Sequence, residues 1–465
     1  MVFNTLQFLI FLPLTIVLYY LLPFRFRWIL LLIASYFFYM SFKPAYGLIL
    51  LSSTFICWYL SLLISKETNK QKRKLFLVAG IIADVGILFF FKYFNFFSET
   101  ISSLFMGTYN SVVNTHALLL PIGISFYTFK SLSYLIDVYR KIAKPEYNFG
   151  YFALYVSFFP QLVAGPIERA NQLLPQLKQP SKLKESDVEY GVIRIAWGFF
   201  KKVVVADTVA LYVNFSFADI ATANGAQLYI AMLFFAVQLY ADFSGYCDIA
   251  IGTARLFGIK LSENFNRPYI SKSISEYWTR WHITLTMWIR DYVFIPLNKG
   301  VEAYWRIYVH IIIIFLLIGL WHGASINFLV FGLMNGVIAV LQAIYSRISF
   351  LPKFNSYAGK VFLTIWTFHL LLLSGVVFRA RGFNDTMLFY RKVFTEFNIS
   401  TRNILNGFSS YDFIICCFVS ALFVASVYLP RNFSFKYKYL FLFIVITLIV
   451  LLGRNNAETF IYFQF

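Results

Sequence analysis

Apolar runs separated by short polar links dominate the chain. The runs lie near residues 5–22, 28–42, 46–65, 75–94, 226–245, 305–321, 324–345, 358–378, 411–429 and 437–452. A helix needs roughly 20 apolar residues to cross the hydrocarbon core of a bilayer. The pattern therefore predicts an all-α, polytopic membrane protein with about ten or more transmembrane helices. The first run has no Lys or Arg before it and no small-residue cleavage site after it, which indicates a retained helix and not a signal peptide.

Between residues 110 and 215 the apolar pattern breaks into shorter pieces, such as 118–129 and 151–160, that contain glycine or proline. Non-helical backbone at membrane depth is tolerated where it lines a cavity or is buried in protein. We therefore expect broken, re-entrant or interfacial helices here. Because no internal repeat is visible, the sequence predicts one domain over residues 1–465.

An aromatic segment at 276–291 differs from the membrane runs. The large side chains repeat at helical spacing in Trp278, Trp281, Leu285, Trp288 and Tyr292. The charged residues in the segment make an unaided crossing of the bilayer unfavourable. We predict an interfacial or intra-bundle helix that brings His282 into the bundle.

Composition agrees with a membrane location. Hydrophobic residues make up 60% of the chain and charged residues 13%, too few for the surface of a soluble protein of this size. The net charge of +19 is spread over the links between apolar runs, which fits loops near anionic lipid better than nucleic-acid binding. By the positive-inside rule the links at 23–27 and 65–74 are cytoplasmic and the N-terminus is outside.

Cysteines and carboxylates give weaker signals. The four cysteines form no Cys-x-x-Cys motif, and no third ligand stands near the histidines, so we predict neither a disulfide framework nor a metal site. Asp242 and Asp248 are six residues apart, a spacing that does not place them on one helix face. We expect them to form salt bridges within the bundle.

Two of the five histidines follow a tryptophan, in the pairs Trp281-His282 and Trp321-His322. An imidazole at membrane depth is costly to desolvate and is usually retained for a function. We expect His282 and His322 to meet in one site for proton transfer. The glycines at 319 and 323 would let a substrate approach His322 closely. His310 and His369 are expected to be hydrogen-bonded packing residues, and His116 to lie in a loop.

Basic residues surround the His282 segment, namely Arg267, Lys272, Arg280 and Arg290. Two interpretations stay open. They anchor the chain at the cytoplasmic face, or Arg280 and Arg290 with their neighbours lie at the mouth of a donor pocket for a phosphate-bearing carrier.

Several motifs together resemble one enzyme family. They are Phe158-Phe-Pro-Gln-Leu-Val-Ala-Gly-Pro-Ile-Glu168, Asp242-Phe-Ser-Gly-Tyr-Cys-Asp-Ile-Ala-Ile-Gly252, Glu263-Asn-Phe-Asn-Arg-Pro-Tyr269, Trp278-Thr-Arg-Trp-His-Ile-Thr-Leu-Thr-Met-Trp-Ile-Arg-Asp291 and Gly319-Leu-Trp-His-Gly-Ala324. With both ends of the chain, they resemble bacterial membrane-bound O-acyltransferases, in particular the alginate O-acetyltransferase branch. One departure is Asn335, where relatives often carry histidine.

The resemblance implies a many-helix fold around a central tunnel, with His322 as the catalytic histidine and His282 as its helper. Trp278, Trp281 and Trp321 would wall the tunnel. It implies a multi-pass protein of the bacterial inner membrane that moves an acyl group, with acetyl favoured, from acetyl-CoA or an acyl carrier protein to a polysaccharide hydroxyl. An extracytoplasmic SGNH-type acetyltransferase is the expected partner. D-alanyl transfer to teichoic acid is an alternative, and a transporter or channel is the alternative from another class.

Overall fold

The computed structural model describes residues 1–98, 120–179, 182–348, 354–429, 436–454 and 460–461. These residues form an all-helical protein without strands, 78% of it helix. His116 lies outside the described residues, so its predicted loop position has no structural test.

Each of the ten predicted apolar runs coincides with a helix. The helices are α1 (Leu6–Leu21), α2 (Phe24–Met40), α3 (Pro44–Lys66), α4 (Lys70–Lys92), α5 (Ile124–Tyr139), α6 (Phe149–Ser157), α7 (Phe159–Leu162), α8 (Ala170–Lys178), α9 (Glu185–Phe199), α10 (Asp207–Ala218), α11 (Gly225–Leu256), α12 (Ile274–Arg280), α13 (Ile283–Ile289), α14 (Ile295–Leu297), α15 (Tyr304–His322), α16 (Ile326–Arg347), α17 (Tyr357–Arg379), α18 (Phe383–Thr395), α19 (Thr401–Leu405), α20 (Ser410–Ala425) and α21 (Lys438–Leu452). A π-helix, Phe200–Ala206, joins α9 to α10, and a second, Arg290–Phe294, joins α13 to α14.

Six of the described helices are long and apolar enough to span a bilayer: α3, α4, α11, α15, α16 and α17. Three apolar helices, α1, α20 and α21, are shorter. The chain is therefore a multi-pass membrane protein, while the predicted count of ten or more crossings is not confirmed.

Two compact units make up the chain. The first comprises Met1–Ile195 and Ile249–Ser262, and the second Ala196–Asp248 and Glu263–Phe465. The expectation of one domain over 1–465 stays a prediction.

The first unit contains the broken helices that glycine and proline predict. Between α6 and α7 the chain leaves the helical conformation at Phe158, with φ −47° and ψ 108°. The backbone N–H of Phe159 donates to the Ser35 hydroxyl at 3.1 Å. A side chain from α2 thus satisfies a backbone group that the break would otherwise leave unpaired.

In the second unit the core lies around the π-helix Phe200–Ala206, α10 and the first part of α11. Buried side chains of α16, α17 and α20 pack on this core, including Phe328, Phe378 and Val419. Phe328 and Phe378 of this core also contact the His322 ring.

Helices α15 and α16 approach each other closely at glycines. A Cβ atom at Gly319 would lie 3.1 Å from the carbonyl carbon of Phe328 and 3.3 Å from the Cα of Gly332. The space beside Gly323 is filled by the Phe328 ring. The expectation that Gly319 and Gly323 leave room for a substrate is therefore wrong, because α16 occupies that room.

We predict that Gly319→Ala destabilises the protein by about 1–3 kcal/mol, since the added methyl forces the two helices apart. The matched control is Gly86→Ala in α4, where a Cβ meets nothing within 4 Å. The control should be neutral or slightly stabilising. Thermal unfolding of both detergent-solubilised variants measures the difference, and equal melting temperatures would contradict the close packing.

Candidate active site

His282 lies at a break between two short helices. Helix α12 ends at Arg280, Trp281 is extended, and His282 adopts the left-handed conformation with φ 43° and ψ 53° before α13 begins. The single helix predicted from the aromatic spacing is therefore wrong. The side-chain period continues across the break, so the sequence pattern does not reveal it.

Two asparagines of the preceding extended segment hold the break in place. Asn264 accepts hydrogen bonds from the backbone N–H of Ile283 at 2.9 Å and of Thr284 at 3.1 Å. Asn266 donates its backbone N–H to the Arg280 carbonyl oxygen at 2.8 Å. The backbone groups on both sides of His282 are thereby satisfied inside the protein, which fixes the position of the imidazole.

His322 is the last residue of α15, in an aromatic setting. Its ring centroid lies 5.1 Å from that of Phe378 and 5.6 Å from that of Phe331, both with edge-to-face geometry. Only 5% of the residue is exposed. The dense packing of α15 on α16 delivers Phe331 to this position.

Trp321 contacts both imidazoles. Its ring centroid is 5.6 Å from that of His282 and 4.7 Å from that of His322, so the two histidine rings lie within about 10 Å of each other. The His282 ring also contacts the Phe243 ring edge to face, with centroids 4.9 Å apart. Burial lowers the pKa of His282 to about 3, so this imidazole is neutral at physiological pH.

A narrow cavity, partly open to its surroundings, borders His322. Its lining comes from α11, α15, α16, α17, α12 and the residues on either side of α12. It consists of Met232, Phe235, Ala236, Leu239, Tyr269, Tyr277, Trp278, Trp281, His322, Phe331, Asn335, Phe368, Leu371, Leu372, Ser374, Gly375 and Phe378. Trp278 and Trp281 thus share the cavity with His322. His282 and Trp321 are not among the lining residues.

Arg280 and Arg290 are engaged elsewhere. Arg280 pairs with Glu276 at 2.8 Å and donates to the Asn266 carbonyl oxygen, and Arg290 pairs with Asp291 at 2.8 Å. Neither lines the cavity beside His322. Their predicted role at the mouth of a donor pocket stays a prediction.

The remaining polar predictions from the sequence have clear outcomes. His310 Nδ1 hydrogen-bonds Asn298 at 3.0 Å, and His369 Nε2 hydrogen-bonds the Tyr229 hydroxyl at 2.9 Å. Both are hydrogen-bonded packing residues, as expected. Asp248 pairs with Lys201, and Asp242 pairs with Lys202 at 2.9 Å, which confirms the salt bridges predicted for these carboxylates.

Asn335 is a polar residue that the sequence did not predict to line the cavity. It is 1% exposed and donates its amide to the Phe331 carbonyl oxygen at 2.9 Å. Within the described part of the chain its buried Oδ1 atom has no hydrogen-bond partner. Asn335 follows Phe331 by four residues, so both lie on one face of α16. This spacing is visible in the sequence, but it identifies cavity residues only once the position of α15 is known.

The left-handed backbone at His282 should make the stability of the folded protein depend on which residue replaces the histidine. His282→Asn and His282→Val both remove the imidazole, but asparagine adopts this conformation far more readily than a β-branched residue. We expect the valine variant to be less stable than the asparagine variant by about 1–2 kcal/mol. Thermal unfolding of the purified variants measures this, and equal stabilities would argue against the strained break.

Comparison with known proteins assigns the family. The sequence model of the MBOAT, membrane-bound O-acyltransferase, family matches residues 74–375 and so includes both Trp-His pairs. The chain is 37% identical over 438 residues to the probable alginate O-acetylase of Azotobacter vinelandii, covering 93% of this chain and 86% of that protein. It is 34% identical to the peptidoglycan O-acetyltransferase of Helicobacter pylori, covering 77% and 72%. Identity to the teichoic acid D-alanyltransferase of Bacillus subtilis is 27%, covering 58% and 71%. The chain belongs to the membrane-bound O-acyltransferase family and is an acyltransferase.

Proposed function

We propose that this protein transfers an acetyl group from cytoplasmic acetyl-CoA to hydroxyls of an envelope or secreted polysaccharide. Two relatives are named for O-acetylation of glycans, alginate in one and peptidoglycan in the other. The transfer crosses the inner membrane and ends directly on the polymer or on an extracytoplasmic SGNH-type acetyltransferase. The names of the relatives support acetyl as the group and a glycan as the acceptor.

The observation that carries the proposal is the position of His322 at a cavity lined largely by aromatic and aliphatic side chains. A neutral imidazole there can take the proton of a hydroxyl as its oxygen attacks the thioester carbonyl. The carbon–sulfur bond then breaks and the acyl group stays on the oxygen. His322 returns the proton to the thiolate, which leaves as the free thiol. We assign His322 the role of general base.

His282 serves as the helper of His322 in this proposal. Since Trp321 contacts both imidazoles and His282 is outside the cavity lining, we assign it a positioning role through the Trp321 ring. Trp278 and Trp281 limit the water that reaches the thioester, which protects the donor from hydrolysis.

The alternatives receive less support. The Bacillus subtilis D-alanyltransferase matches a smaller share of this chain, at lower identity, than the alginate relative does. A transporter or channel does not account for membership of an acyltransferase family. The two classes also differ in their need for proton transfer at His322, which a conservative substitution tests.

We predict that His322→Gln lowers O-acetylation of the envelope polymer by about 10²–10⁴-fold, because the amide keeps polarity but cannot act as a base. Ester-linked acetate released from isolated polymer by mild alkali measures activity, and immunoblotting of membranes measures accumulation. A transporter would tolerate this change.

The matched control is His310→Gln, which changes a histidine that pairs with Asn298 away from the cavity. This variant should acetylate near the wild-type level. Wild-type acetylation by a stably accumulated His322→Gln protein would refute the assignment of the base.

We also propose that the N-terminus lies outside and the link between α3 and α4 lies in the cytoplasm. The support is the basic cluster at this link, Lys66, Lys70, Lys72, Arg73 and Lys74.

Cysteine labelling tests this orientation at Thr68, which is exposed. Asn69 is less suitable because its side chain caps α4 by accepting from Gln71 and Lys72. In a background with the exposed Cys417 changed to serine, Thr68→Cys should react with a membrane-impermeant maleimide only after the cells are permeabilised. Labelling in intact cells would reverse the topology.

A further inference from the structure

A second cavity adjoins the one that borders His322. It is partly open to its surroundings and lies among α11, α17, α20 and the segment before α12. Its lining consists of Ala236, Val237, Tyr240, Arg267, Tyr269, Ile270, Thr364, Ile365, Phe368, His369, Phe423, Val424 and Val427. Ala236, Tyr269 and Phe368 line both cavities.

These three shared residues form a wall one side chain thick. The rings of Tyr269 and Phe368 pack edge to face with centroids 5.3 Å apart, and the Tyr269 hydroxyl donates to the Ala236 carbonyl oxygen at 2.9 Å. Tyr269 is thereby held at both its ring and its hydroxyl. Phe368 is the member of the wall whose side chain can be removed without losing a hydrogen bond.

The second cavity suits hydrocarbon. Most of its lining is aliphatic or aromatic, and its polar groups are engaged elsewhere. Both ring nitrogens of His369 are hydrogen-bonded, to Tyr229 and to the Ile365 carbonyl oxygen, and the Arg267 guanidinium donates to the Leu429 carbonyl oxygen at 2.9 Å. An alkyl chain entering this space would exchange water or lipid for apolar contacts without breaking an ion pair.

We infer that the wall formed by Phe368 and Tyr269 restricts the acyl group at His322 to a short chain. This inference rests on the proposed acyl transfer from a coenzyme A thioester. An acetyl group ends at the wall, whereas each further methylene of a longer chain would collide with the Phe368 ring. Behind the wall lies apolar space that a longer chain could fill if the ring were absent.

Removing the ring should therefore change selectivity. In Phe368→Ala the two cavities merge, and each added methylene that is buried favours binding by about fourfold. Butyryl-CoA carries two methylenes more than acetyl-CoA. We expect the ratio of butyryl to acetyl transfer to rise by about tenfold or more over the wild type.

The experiment uses membranes from cells that retain their envelope polymer, supplied with an equal mixture of acetyl-CoA and butyryl-CoA. Acyl groups released from the polymer by mild base give the ratio directly, so differences in protein amount cancel. The matched control is Phe423→Ala, which removes a phenyl ring that lines the second cavity but not the first. Its ratio should equal that of the wild type.

Phe368→Leu is a second, milder opening of the wall and decides the matter if the alanine variant does not accumulate. An unchanged ratio in an accumulated Phe368 variant that still transfers acetyl would overturn the inference, as would the same rise in Phe423→Ala. A wild type that transfers butyryl as readily as acetyl would also overturn it. Absence of any acyl transfer from either thioester by the wild type would instead contradict the proposed function.

Discussion

The hydrogen bonds that Asn264 and Asn266 make across the break at His282 are the constraint on which the site depends. In a helical membrane protein an interrupted helix leaves backbone groups that neither lipid nor the helix itself can satisfy. Here the extended segment before α12 supplies the missing partners on both sides of the break. At the break the His282 ring contacts Trp321. In a continuous helix the direction of this side chain would instead be set by the helical period.

The second imidazole is fixed by a different principle, the close approach of α15 and α16. Small residues let helix backbones pack tightly in membranes, where apolar side chains gain little by leaving lipid. Glycines at 319 and 332 permit this contact, and Phe328 and Phe331 reach His322 as a result. The two histidines are thus positioned by unrelated means, one by hydrogen bonds and one by packing, and Trp321 contacts both.

Much of this architecture could be predicted from the sequence, because long apolar runs specify helices directly. The ten runs correspond to helices, and the Trp-His pairs identify the region that encloses the cavity. The helix break at His282 escaped prediction since the aromatic period is the same on both sides. The role of the glycines and the place of Asn335 escaped because each depends on which helix lies opposite, information that spacing along one chain does not contain.

The π-helix Phe200–Ala206 has a consequence for how the chain can change in evolution. Lys202 bonds Asp207, five residues later, at 2.8 Å, a spacing that the wide π turn brings onto one face and an α-helix does not. Lys202 also pairs with Asp242, and the adjacent Lys201 pairs with Asp248. Neighbouring lysines thus bind two carboxylates at different positions along α11. Deleting one residue would restore ordinary α-helical winding and separate these buried charges from their partners. The loss of stability would be far larger than that from a change of side-chain volume. Insertions and deletions should therefore be excluded from this segment in functional descendants, even where its sequence drifts.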